Sequence, residues 1–195
     1  MKRRLAWSVG IAVFLFVTAT WVSAASMDDI AGTWGVYSKA KGKVSKLGAD
    51  YSEGFGAMHF MKGNSGANSG LFDYYDPQGY VYTGAFTLSP DGKKLTMQLD
   101  NNGRLEFEDM MADWLRRGAA EDGVFLDDIE FVYNENGILM STVKTSKKTN
   151  GPIKGTVSAK GIVYAVADQG NNVRIPVSGK FSFKSTTKFL TKQHP

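Results

Sequence analysis

The chain has 195 residues, with 23 Lys plus Arg, 19 Asp plus Glu and no cysteine. The lack of cysteine excludes a disulfide, a cysteine-linked lipid and a covalently attached haem. Residues 1–24 hold three basic and no acidic side chains, so without them the net charge falls from +4 to about +1. The overall charge therefore gives no case for nucleic-acid binding, which needs a basic surplus on one face.

The first 24 residues have the order of a secretory signal peptide. Lys2, Arg3 and Arg4 form a positive start, an apolar run follows from Leu5 to Val22, and Val22-Ser23-Ala24 offers small residues for cleavage. An uncleaved membrane anchor is the alternative, because the apolar run approaches spanning length. We expect cleavage after residue 24, which leaves residues 25–195 as one domain in the periplasm or outside the cell.

Residues 25–195 show the pattern of an antiparallel β-protein. Turn signals separate short runs rich in Val, Ile, Tyr, Phe and Thr, and they occur at Asp76-Pro77-Gln78-Gly79, Ser89-Pro90-Asp91-Gly92, Asn101-Asn102-Gly103, Asn134 to Gly137, Asn150-Gly151-Pro152, Lys160-Gly161 and Gly170-Asn171-Asn172. Apolar and polar residues alternate clearly from Val173 to Lys184. This pattern predicts an all-β fold, an antiparallel meander of about eight to ten strands closed into a barrel, with a sandwich as the alternative.

Gly32-Thr33-Trp34 opens the first of these strands, and here the chain resembles lipocalin-like barrels, the calycin group. In that family a Gly-x-Trp seats an indole under the closed end of the barrel, and a cation from a late strand covers it. The resemblance implies that residues 25–195 form a lipocalin-like barrel, that Trp34 is buried, and that Lys180, Lys184 or Lys188 supplies the cation. A tryptophan buried in an unrelated small β-domain is the alternative.

Aromatic residues, glycine and methionine are concentrated between residues 54 and 86. Such side chains line apolar pockets in barrels, although any sheet core uses the same residues. The predicted ligand-binding residues are Trp34, Phe55, Met58, Phe60, Phe72, Tyr74 and Tyr82. The polar loop from Lys62 to Gly70 is the predicted mouth of the pocket.

One amphipathic helix is predicted to interrupt the strands, from Glu106 to Arg117. Phe107, Met110, Met111, Trp114 and Leu115 fall on one helical face, and Gly118 is the expected stop. We expect the helix to pack on the sheet or plug one end of the barrel; a mobile lid or a partner-binding helix is the alternative. Residues 98–109 only partly fit a calcium loop, so the favoured interpretation is a turn followed by a helix start, with no metal site.

The sequence offers little material for catalysis. His59 is the only histidine apart from His194 in the tail, and no Gly-x-Ser-x-Gly motif occurs. We therefore expect no enzymatic activity and no cofactor.

A stretch without acidic residues, from Asn136 to Ala167, contains several lysines, among them Lys144, Lys147, Lys148 and Lys154. These four are candidates for contact with an anionic surface, while lysines that protect exposed edge strands are the alternative explanation.

Taken together, these patterns predict an exported, soluble β-barrel that binds a small apolar or amphipathic ligand. A structural or partner-binding β-domain without a cavity is the alternative. An outer-membrane barrel is disfavoured because a polar tail, Gln193-His194-Pro195, replaces the terminal aromatic strand of that class. The oligomeric state is left open.

Overall fold

The computed structural model describes residues 25–45, 48–63, 68–134, 140–146, 151–168 and 173–193. The predicted signal peptide lies outside these residues. Within them the chain forms α1 (Met27–Ile30), β1 (Gly32–Val44), β2 (Gly48–Lys62), β3 (Ser69–Tyr75), β4 (Val81–Leu88), β5 (Lys94–Leu99), α2 (Asn101–Glu121), β6 (Phe125–Tyr133), β7 (Met140–Ser146), β8 (Gly151–Asp168) and β9 (Arg174–Lys192).

Eight of the described strands close into an antiparallel barrel, in the order β1-β2-β3-β4-β5-β7-β8-β9 and back to β1. β6 lies outside this ring, because it pairs with residues 161–168 of β8 while β7 pairs with residues 151–157. The predicted meander barrel with one inserted helix is confirmed, and the architecture is consistent with a calycin-like fold.

Two predicted turns have the backbone geometry that their residues favour. Gly79 and Gly92 close the turns after Asp76 and Ser89 with φ of +95° and +60°. The turn predicted at Lys160-Gly161 is wrong, since both residues lie inside β8. Gly161 serves close packing instead: a Cβ there would lie 2.7 Å from the Phe181 ring.

The short helix α1 closes one end of the barrel, with Ser26 and Asp29 forming a reciprocal capping box at its start. Trp34 packs beneath it, 3% exposed, and its indole N–H donates to the Ile30 carbonyl at 2.8 Å. The predicted burial of Trp34 is confirmed. The cation over the indole is Lys192, with Nζ 5.9 Å from the ring centroid, so the prediction of Lys180, Lys184 or Lys188 is wrong.

Helix α2 is longer than its apolar pattern predicted. It begins at Asn101, where the Asp100 carboxylate accepts from the Gly103 N–H at 2.8 Å, so the turn predicted at Asn101-Asn102-Gly103 is the first turn of the helix. It continues through Gly118, which is therefore not the stop. Gly123, with φ of +73°, follows the helix end at Glu121.

Helix α2 follows directly after β5 and lies against β4 and β6, which do not pair with each other in the described part of the chain. Gly103 allows the first turn to approach Thr83 on β4 so closely that a Cβ would overlap its backbone. Phe107, Met111 and Leu115 are buried on the inner face. The helix thus packs on the sheet, as predicted. No helix in the described part of the chain is long and apolar enough to cross a membrane.

The buried side chains form two clusters, one at each end of the barrel. The closed-end cluster includes Ile30, Trp34, Phe60, Phe86 and Phe189. The helix-end cluster includes Phe107, Met111, Leu115, Phe181 and Phe183.

Candidate functional site: an internal cavity

A cavity of about 140 Å³ lies within the barrel where the two clusters meet. Strands β1 to β5, β8 and β9 contribute to its wall, and α2 supplies one side. Its apolar lining consists of Ala40, Met58, Phe72, Tyr74, Tyr82, Met97, Leu99, Phe107, Met110, Met111, Trp114, Val157 and Phe183. An apolar cavity of about 150 Å³ is large enough to bind benzene in another protein, so the volume is on the scale of one ring or a short alkyl segment.

Helix α2 shapes the cavity through side chains that are only partly packed. Met110 and Trp114 are half-buried, and Trp114 lies over Gly42 of β1, where a Cβ would come within 3.1 Å of the indole. The thioether of Met110 adapts readily to different shapes. This side of the cavity can therefore adjust to a ligand more easily than the β-sheet wall.

A short chain of hydroxyl groups crosses the lining on the β1 side. Tyr74 donates to Ser38 Oγ at 2.8 Å, and Ser38 lies 3.0 Å from Thr187 Oγ1. Because the Ser38 oxygen accepts the hydrogen bond from Tyr74, the Ser38 hydroxyl proton can still be donated to another group. Burial raises the pKa of Tyr74 to about 12, so the phenol is neutral at physiological pH. The lining therefore offers uncharged hydrogen-bonding groups beside apolar ones.

Asp76 organises the β3–β4 turn next to the cavity. Its carboxylate accepts from the N–H groups of Gln78 and Tyr80 at 2.8 and 3.0 Å, and from the Tyr82 hydroxyl at 3.1 Å. Burial and the nearby Asp76 charge raise the pKa of Tyr82. Three donors to one carboxylate fix the turn and keep the Tyr82 phenol neutral.

The cavity reaches the surface where its lining residues are exposed, at Tyr51, Pro77, Gln78 and Arg117. Arg117 brings a positive charge to this rim from the last turns of α2. A ligand with an apolar body inside and a polar or anionic end at the rim would match this arrangement.

The predicted ligand-binding residues occupy three different places. Met58, Phe72, Tyr74 and Tyr82 line the cavity. Trp34 and Phe60 belong to the closed-end cluster instead, where Phe60 packs edge-to-face on Phe86.

Phe55 does not reach the cavity, because its side chain points to the outside of the barrel and is 72% exposed. Side chains alternate along a strand, and Met58 and Phe60 of β2 point inward, so Phe55 must point outward. It packs against Tyr37, with ring centroids 5.1 Å apart. Phe55 is three residues from Met58, an odd spacing that puts the two side chains on opposite faces of β2, and this spacing could have excluded Phe55 from the prediction.

The sequence prediction missed the cavity-lining residues outside the segment from residue 54 to residue 86, among them Ser38, Met97, Phe183, Ser185 and Thr187. Alternation along each strand could have indicated that these residues face inward, but not which level of the barrel they occupy. Met110, Met111 and Trp114 were predicted as a packing face of the helix, and they are both packed and part of the lining.

The described ends of the loop from Lys62 to Gly70, which was predicted as the mouth, do not lie at the rim of the cavity. Residues 64–67 lie outside the described residues, but its described ends are at the closed end of the barrel, where Lys62 pairs with Asp28 of α1. The turn at the rim is instead the one after β3, with Pro77 and Gln78.

The edge-strand explanation does not fit the two of these lysines that the structure describes. Lys144 lies on β7, which pairs with β5 and β8, and Lys154 lies on β8, which pairs with β7 and β9 at that level. Neither strand is an edge. Lys147 and Lys148 lie outside the described residues.

Comparison with known proteins finds no matching family model and no significant similarity to a curated protein or a solved structure. In the described part of the chain, no group of three or more His, Cys, Asp or Glu side chains is placed to hold a metal ion.

Proposed function

We propose that the protein binds a small apolar or amphipathic ligand inside its barrel. The observation that carries the proposal is the cavity between the two core clusters, which is lined mainly by aromatic and methionine side chains and open at a rim that carries Arg117. Pockets of this composition, with a few polar groups to orient the ligand, are the usual form of small-molecule sites.

The lining favours a ligand with one narrow apolar end and a polar group. The volume accommodates about one ring, so a longer ligand would extend past Tyr51 towards the rim. The Ser38 hydroxyl, whose proton can still be donated, suits a carbonyl of the ligand, the Tyr74 oxygen can accept from a ligand hydroxyl, and Arg117 suits a carboxylate.

The test is a thermal-shift screen of short and medium-chain fatty acids, isoprenoid alcohols and aromatic acids. A ligand that binds only the native state stabilises it by about 2.7 kcal/mol at a concentration of 100 times Kd. For a domain of this size, that raises Tm by roughly 5 to 10 °C. A binder from this screen is then titrated calorimetrically to obtain its stoichiometry and Kd.

Two matched substitutions separate cavity binding from binding elsewhere. Ala40→Leu adds a larger side chain to the cavity lining, whereas Ala85→Leu makes the same change at an exposed position of β4. Ligand affinity should fall at least about tenfold in Ala40→Leu, which corresponds to about 1.4 kcal/mol, and stay unchanged in Ala85→Leu. If no ligand shifts Tm, or if Ala40→Leu binds as well as the parent protein, the proposal fails, and a partner-binding barrel without a ligand is the better account.

We further propose that the protein is exported to the periplasm or beyond, with residues 1–24 removed. The support is the charged, apolar and small-residue order of that segment. N-terminal sequencing of protein released by osmotic shock should begin at Ala25. A start at Met1 in the membrane fraction would contradict export with cleavage.

A further inference from the structure

Strand pairing brings four lysines from separate parts of the chain into one row on the outer wall of the barrel. Lys94 of β5 faces Lys144 of β7, Lys144 faces Lys154 of β8, and Lys154 faces Lys188 of β9. All four side chains are exposed. We call this row the lysine girdle; because neighbouring strands are about 4.8 Å apart, it spans about 14 Å around the barrel.

The girdle belongs to a wall whose charged side chains are almost all basic. The strands β1, β5, β7, β8 and β9 contain a single acidic residue, Asp168, at the end of β8, while lysines also face each other at Lys41 and Lys184. The acidic residues are concentrated elsewhere, five of them on α2 and three on β6. The near-neutral total charge of residues 25–195 therefore conceals a strongly asymmetric distribution.

The stability of the fold does not explain why four lysines lie in one row. Like charges directly opposite each other on neighbouring strands destabilise a sheet. Protection of edges does not apply, since β7, β8 and β9 are paired on both sides at the girdle, and on β5 the Lys94 carbonyl accepts from the Ser89 N–H on the side away from β7. Among the described residues, none of the four lysines forms an ion pair. A polyanion laid along the row would neutralise the repulsion.

Hydroxyl groups accompany the charges. The row next to the girdle consists of Thr96, Thr142, Thr156 and Thr186, which face one another across the same four strands. At its β9 end the girdle continues onto Tyr37 of β1 and then onto the exposed Phe55 of β2. Ammonium groups, hydroxyls and an exposed aromatic ring are the groups that bind a carboxylate, a sugar hydroxyl and the apolar face of a sugar ring.

We propose that the lysine girdle binds a linear acidic polysaccharide with one carboxylate per sugar. Such a chain is flexible enough to follow the convex wall, and the length of one sugar is close to the spacing of the strands. A flat bilayer would touch only a strip of a wall that extends over five of the eight barrel strands. Single-stranded nucleic acid favours aromatic rings between its cationic contacts, and none lies between the four lysines. The girdle lies on the outer wall and is independent of the cavity.

The test uses fluorescent oligogalacturonates of two, four and six sugars, with binding followed by anisotropy at low salt. The four-lysine span predicts that affinity rises from the dimer to the hexamer and falls as salt is added. Uncharged maltohexaose should not bind. The variant Lys144→Gln/Lys154→Gln/Lys188→Gln should bind the hexamer at least about tenfold more weakly, because three ionic contacts are lost.

The matched control removes the same number of positive charges from Lys62, Arg104 and Arg116, each of which is ion-paired away from the girdle. This control, as the corresponding triple Gln variant, should bind the hexamer like the parent protein. Circular dichroism shows whether the two variants are folded. The dependence of affinity on oligosaccharide length and on salt is measured with the unmodified protein, so it does not depend on the folding of the variants.

Three results would overturn the proposal. The first is no hexamer binding at low salt by the unmodified protein, and the second is an equal loss of binding in the two triple variants. The third is that phosphatidylglycerol vesicles or oligothymidylate bind more tightly than oligogalacturonate of equal charge, and that this binding is lost in the triple variant Lys144→Gln/Lys154→Gln/Lys188→Gln. The last result would assign the girdle to a membrane or to nucleic acid instead.

Discussion

Replacing Trp34 by alanine tests whether the closed end of the barrel carries a large share of the stability. The indole is 3% exposed, packs edge-to-face on Phe189 at 6.4 Å and donates to the Ile30 carbonyl. Truncation of a large aromatic side chain in a core costs about 3 to 5 kcal/mol. In a domain of this size, a loss of 3 kcal/mol lowers Tm by about 6 to 12 °C.

The contributions of ring and hydrogen bond can be separated by a second substitution. Trp34→Phe keeps an aromatic ring but leaves the Ile30 carbonyl without its donor, which should cost about 1 to 3 kcal/mol. The control is Phe55→Ala, an aromatic truncation at a site that is 72% exposed, for which the expected loss is below about 1 kcal/mol.

The measurement is urea unfolding followed by circular dichroism, with free energies from linear extrapolation. An unchanged m-value would show that the variants differ in stability and not in the compactness of the unfolded chain. A loss below about 1 kcal/mol for Trp34→Ala, the scale of surface substitutions, would refute the assignment of Trp34 to a tightly packed closed end.

Three further predictions concern the helix, the cavity and the outer wall. Gly103→Ala should destabilise the protein by about 1 to 3 kcal/mol, because the new Cβ would overlap the Thr83 backbone. Gly118 lies in open space on the same helix, so Gly118→Ala should stabilise the protein by about 0.5 to 1 kcal/mol. Urea unfolding measures both changes, which should have opposite signs. Burial raises the pKa of Tyr74 from 10.0 to about 12, so the phenol ionises first in the unfolded chain. The contribution of Tyr74 to stability should therefore be constant below pH 10 and be lost between pH 10 and 12. Unfolding at pH 9 and 11.5 should show a smaller fall in Tyr74→Phe, and an equal fall would contradict this. Lys154→Gln should raise stability by about 0.5 to 1 kcal/mol at low salt, because it removes the like-charge contacts with Lys144 and Lys188. The gain should disappear in 1 M salt, which screens the repulsion. A loss of stability would argue against repulsion in the girdle.

The sequence by itself was sufficient for the fold class, because the relevant signals are local. Glycine in the turns after Asp76 and Ser89, alternation around Phe181 and Phe183, and the apolar face of α2 each depend on residues within one turn or strand. The burial of Trp34 also followed from a local motif at the start of the first strand. The exact bounds of α2 did not follow from the apolar pattern, because Asp100 caps the start of the helix and Gly123 lies just beyond its end, and neither belongs to the apolar face.

Only the tertiary structure decided which side chains share a surface. Whether a residue lines the cavity depends on the level at which its strand crosses the barrel. Met58 and Phe183 both line it although they are far apart in the chain, while Phe60, two residues from Met58, does not. The lysine girdle has the same origin: Lys94, Lys144 and Lys188 come into one row through the register of strand pairs. Register is set by the packing of the whole sheet, and no local stretch of sequence contains it.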